Sequence, residues 1–104
     1  MTTTPFTAKR PGETEIFSAD FARLLSGGDT LSTAACKVVL ASDSTEADIP
    51  AMRSGSATVN GTKVVQKVTG GTDGVTYKLI FTATTSLGQS LDEVRYLPVQ
   101  RDQT

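Results

Sequence analysis

The stretch from Val75 to Ala83 constrains the fold more than any other. Val75, Tyr77, Leu79, Phe81 and Ala83 share one parity, Thr76, Lys78, Thr82 and Thr84 share the other, and Ile80 is the one apolar residue among the polar set. A period of two belongs to a β-strand with one face buried and one wet. The strand is entered through Gly70-Gly71-Thr72-Asp73-Gly74 and left through Leu87-Gly88. Gly70 and Gly74 suit the positive φ of a tight turn, a conformation costly to residues with a Cβ. Tyr77, just past that turn, has two readings. It is a buried core residue, or it is a tyrosine corner whose hydroxyl ties the preceding loop to the body of the domain.

The rest of the chain repeats this pattern in shorter pieces. Residues 13–21 alternate so that Phe17, Ala19 and Phe21 face inward, and Phe21, Leu24 and Leu25 also share a helical face. A strand to about Phe21 followed by one helical turn over Ala22–Leu25 accommodates both. Segments 30–31 and 34–41 form a second strand region bent near Ser32-Thr33, with Cys36, Val38 and Leu40 assigned inward because that parity leaves Lys37 outside. Residues 42–53 read as a surface loop. Its Asp43, Thr45, Glu46 and Asp48 lack the spacing and turn glycine of a calcium loop. Asn60-Gly61 between β-prone flanks predicts a hairpin, 56–59 against 62–68, through a type I′ turn. In the last strand, about 90–99, the apolar residues hold no single parity, which predicts a bulge near Asp92-Glu93 with both charges in solvent. Pro98 puts the end of that strand at a sheet edge.

About seven short strands in 104 residues, with turns at regular intervals, predict an all-β fold: a single antiparallel β-sandwich of immunoglobulin or fibronectin type spanning 13–100. Residues 1–12 read as an arm. It is either a frayed terminus or a segment that orders on a neighbouring subunit with Phe6 as its plug. Residues 101–104 read as a tail.

Ten basic and eleven acidic residues leave a formal charge of −1, which names neither nucleic acid nor a membrane as partner. With no histidine and one cysteine, Cys36, the common nucleophile–base pairs, histidine-containing zinc sites and an internal disulfide are unavailable. The glycines at 70, 71 and 74 lead into a strand and no Lys-Ser or Lys-Thr pair follows them, so they are not a phosphate loop. The expectation is a protein without enzymatic activity, cofactor or metal. The first residues lack a charged region followed by an apolar one, so synthesis in the cytoplasm is expected.

Several stretches together resemble the tailed-phage fiber-tail adaptors: Asp20-Phe21, then Leu24 to Leu31, then Gly70-Gly71-Thr72-Asp73-Gly74-Val75-Thr76-Tyr77, then Thr84 to Gln89, and finally Leu97-Pro98-Val99. The resemblance runs from about Lys9 to Gln100. Phe21 stands where that pattern expects tryptophan, and the loop at 43–54 is longer than usual. The resemblance implies a phage or prophage virion protein that works in several copies and joins tail or baseplate to the tail fibres. Its partners would be other tail and fibre proteins and copies of itself. Two alternatives remain at this point, a head-to-tail joining protein and an immunoglobulin-like adhesion or carbohydrate-binding module.

Overall fold

The computed structural model describes residues 11–25 and 27–99. Most of the expected arm, including Phe6, and the expected tail at 101–104 lie outside the described residues. The described chain is all-β, with strands β1 (Thr14–Asp20), β2 (Leu31–Leu40), β3 (Arg53–Asn60), β4 (Lys63–Thr69), β5 (Thr76–Thr85) and β6 (Ser90–Pro98). They make two three-stranded antiparallel sheets, β1-β4-β3 and β2-β5-β6. Single 3-10 turns occupy Ala22–Leu24 and Pro50–Met52.

Six strands form among the described residues where about seven were expected. Segments 30–31 and 34–41 run together as β2, and the bend between them is absorbed as a register shift between Leu31 and Thr33. A bulge lets one strand change its twist without leaving the sheet.

Alternate residues of both sheets meet in one core. Phe17, Ala19, Val64 and Val68 come from one sheet, and Cys36, Val38, Tyr77, Leu79, Phe81, Ala83 and Leu97 from the other. Phe21, at the end of β1, and Phe81, in the middle of β5, are wholly buried. Each such side chain contributes about 1.5–3 kcal/mol of burial. Leu24 and Leu25 pack against this core from the helical turn, as their spacing with Phe21 predicts.

Three local expectations are corrected. In β2 the inward parity stops at Val38: Leu40 is exposed, while Val39, on the opposite face, is wholly buried. The following loop folds back here. Ile49 N–H donates to the Val38 carbonyl, and Glu46 reaches Lys78, the pairing partner of Val39.

The β3–β4 hairpin forms, but Asn60 pairs with Lys63, so the two turn residues are Gly61 and Thr62. Gly61 has φ +63° and neither Asn60 nor Thr62 is in the left-handed region, which is the pattern of a type II′ turn. The turn thus needs one glycine, in first position.

No bulge breaks β6, which pairs with β5 without interruption from Thr76↔Pro98 to Thr84↔Ser90. Its parity is met by turning Glu93 and Arg95 inward beside Leu91 and Leu97. Asp92 is exposed, but Glu93 is buried and accepts from Arg23 at 2.8 Å and Arg95 at 3.4 Å. A carboxylate can sit there because two guanidiniums meet it. Inward charge on an edge strand also discourages unplanned strand pairing.

Candidate interaction surfaces

The antiparallel order sends the connections to two opposite ends. At one end lie the Phe21–Thr30 connection, the Gly61-Thr62 turn and the Ser86–Gln89 turn, tied together by two aspartates. Asp20, closing β1, accepts from Ala22 N–H at 2.9 Å and from the Thr62 hydroxyl at 2.8 Å, and Phe21 N–H donates to the Thr62 carbonyl. Asp29 accepts at one oxygen from Thr30 N–H, the Ser86 hydroxyl and Leu87 N–H. Burial opposes its ionisation, yet these donors hold the Asp29 carboxyl below the ordinary carboxylate range. Both aspartates thus serve as staples between chain segments distant in sequence.

The opposite end carries the 41–52 loop and the glycine corner. Tyr77 is buried and its hydroxyl accepts from Thr72 N–H at 2.9 Å, fastening the corner from the strand it introduces. Gly70 and Gly74 have φ +70° and +82°, and Gly74 N–H donates to the Val99 carbonyl. Gly71 is the most constrained of the three. At φ +105°, an added Cβ would lie 3.0 Å from a Val99 methyl and 3.2 Å from Met52 Cε.

In the loop, the oxygen side chains bind the loop itself and the strands beside it. Asp43 accepts from the backbone and hydroxyl of Thr45 and from Ala47 N–H, bonds that lower its pKa, with the Thr45 hydroxyl contributing most. Asp48 bridges Val38 N–H and Arg53 at 3.1 and 2.8 Å; burial raises its pKa, and these two partners outweigh it. Glu46 pairs with Lys78 at 2.7 Å, which lowers the carboxyl and raises the ammonium. Cys36 lies behind β2 in the core, where burial pushes its thiol up to about 12, so it stays protonated and inert as a nucleophile.

One concave feature stands out on the outer face of the β1-β4-β3 sheet. β3 is paired with β4 at Ser54↔Lys67 and next at Thr58↔Val65, so two extra residues bow out of β3. Gly55 takes φ +81° within the bow, and buried Gln66 donates its amide to the Gly55 and Lys67 carbonyls. The bow leaves a depression of about 250 Å3 lined by Ile16, Gly55, Thr58, Val65, Lys67 and neighbouring serines. None of these residues stands out as a site in the sequence. Gly55 inside a Ser/Thr-rich strand was the available signal, because an interior glycine often marks a bulge.

The sequence-derived residues are thus distributed as follows: Phe21 and Phe81 in the core, Tyr77, Gly70 and Gly74 at the corner, Asn60 and Gly61 at the hairpin. They fall at separate points of the scaffold and do not converge on one site.

A family model described as the podophage GP4 fiber-tail adaptor protein gp77 matches residues 9–98. The chain belongs to this family. Members of the fiber-tail adaptor family are structural components of the phage tail, and the resemblance carried by Asp20-Phe21 and the Gly70–Tyr77 corner points to the same family. In three dimensions those motifs are the staples and corners just described. No curated protein matches the chain.

Proposed function

We propose that this chain is a non-enzymatic adaptor of the phage particle that joins the tail or baseplate to its fibres, made in the host cytoplasm and mounted on the tail in several copies. The observation that carries this reading is the family match over residues 9–98. The chemistry of the chain agrees with it, since the polar side chains that are buried act as staples. Affinity in such a protein comes from faces, edges and terminal segments, and repetition around a symmetric tail multiplies each weak contact.

In this reading residues 13–100 are one β-sandwich of immunoglobulin type, and Tyr77 is its tyrosine corner, supported by the bond from Thr72 N–H. Residues 1–12 are an arm that engages a neighbouring subunit through Phe6, and 101–104 are a tail. The partners are other tail and fibre proteins, with no nucleic acid or membrane involved. Deleting the coding gene from the phage or prophage tests the proposal: particles should assemble tails that lack fibres, and complementation should restore them. Fibre-bearing, infectious particles from the deletion would overturn it.

A further inference from the structure

We propose that the depression on the outer face of the β1-β4-β3 sheet receives an aliphatic side chain carried by an extended, acidic segment of a partner protein. This deepens the adaptor reading by naming the chemistry of one contact. Ile16 is 65% exposed on this face and stands directly across from Lys67 of β4, the strand between it and the bowed part of β3. An aliphatic side chain left this open in a strand, at the rim of a concavity, is unlike its fellow apolar residues in β1, which are buried. Adding a Cβ at Gly55 would meet nothing within 4 Å, so no side chain crowds the bow at this position.

Charge selects the kind of partner. Among the described residues no carboxylate lies within ion-pair distance of Lys67, whereas on the other sheet Lys78 is neutralised by Glu46. Asp20, the carboxylate of this face, sits at its far end beside Lys63 and already accepts from Thr62 and Ala22. The chain's own first ten residues carry Lys9 and Arg10 and no acid, so they match this charge poorly. β3 is an edge strand, so the depression beside its bow lies near the open margin of the sheet, where a partner segment can reach it.

The test uses the full-length 15N-labelled protein and three capped synthetic peptides: Asp-Glu-Leu-Glu-Asp, the same peptide with glycine for leucine, and Lys-Arg-Leu-Arg-Lys. The acidic leucine peptide should move the amide resonances of Ile16, Gly55, Val65 and Lys67, and the other two should not. Lys67→Glu should weaken binding by roughly tenfold, the effect of turning one exposed attraction into a repulsion. Ile16→Asp should abolish it, and Thr58→Gln, which fills the rim without touching the core or changing the charge, serves if that variant misfolds. Equal binding of the acidic and basic peptides, shifts located elsewhere, or no shifts overturn the proposal. So do concentration-dependent shifts of these amides without peptide, which would make a second copy the occupant. Gene deletion reads the adaptor role separately, so fibreless particles with no peptide binding would leave the adaptor reading standing and remove this one.

Discussion

The two sheets differ in how completely their strands pair. β5 is matched residue for residue with β6, and the 41–52 loop covers its outer face around Lys78, through Glu46. β3 follows β4 only at its two ends, and Gln66 supplies from its side chain a donor that the interrupted ladder does not. The sheet built on β5 is therefore the more continuously paired half of the core, and the bowed sheet is the half that offers a shaped, unneutralised surface. Paired backbone excludes a ligand because its groups are used; a bulge leaves groups and space in one place.

The largest effect should come from the regular sheet. Phe81→Ala should cost about 3–5 kcal/mol in urea unfolding, because Phe81 is wholly buried at the centre of β5 and close-packed surroundings collapse only partly into the cavity. Next are two glycines that set the sheets against each other. Gly71→Ala should cost about 1–3 kcal/mol, since strained φ is compounded by the Val99 and Met52 contacts. Gly55→Ala meets open space and bears only the φ penalty, about 1 kcal/mol. Equal losses at the two positions would dissolve the contrast between a packed corner and an open bow.

Tyr77→Phe and Gln66→Leu each remove one hydrogen-bonding group while keeping the apolar bulk. Each should cost about 1 kcal/mol. They separate differently in hydrogen exchange: Tyr77→Phe should expose the Thr72 amide, and Gln66→Leu should loosen β3 around Gly55.

Acid should act on the loops flanking the regular sheet. The carboxyls of Asp29, Asp43 and Asp48 lie below their ordinary range in the folded chain. A group whose folded pKa is depressed stabilises the fold above its unfolded pKa, about 4, and that stability is lost as pH falls through the lower folded value. The urea midpoint should therefore hold from neutral pH to about 5 and decline below about 4. Asp29→Asn with Asp48→Asn should lower the plateau and flatten the decline; an unchanged acid limb would remove these staples from the account. The smallest effect is expected on the bowed face, where Ile16→Ser and Lys67→Gln should leave stability within about 0.5 kcal/mol.

Much of this was legible in the residue order. The alternation of β5, the inward set Phe17, Ala19 and Phe21, the helical turn after β1 and the hairpin near Gly61 all follow from side-chain periodicity and turn chemistry. Glu93 and Gln66 were not legible. A strand rule sends polar residues outward, and only a partner brought from a distant part of the chain, Arg23 for Glu93 and the Gly55 carbonyl for Gln66, reverses it. Leu40 and Val39 reversed their expected burial for a similar reason, since the loop that covers Val39 returns from residues 46–49.

By itself, then, the sequence determined an all-β chain with its turns and most of its core, and through the Asp20-Phe21 and Gly70–Tyr77 motifs it determined the family. These depend on local conformation and on a periodicity of two, which a single strand carries within itself. Only the tertiary structure decided which edge strand bows, where Ile16 and Lys67 meet across β1 and β4, and which charges go inside. Those outcomes depend on register between segments some fifty residues apart (Ile16↔Lys67), and register is set by the packing of whole sheets.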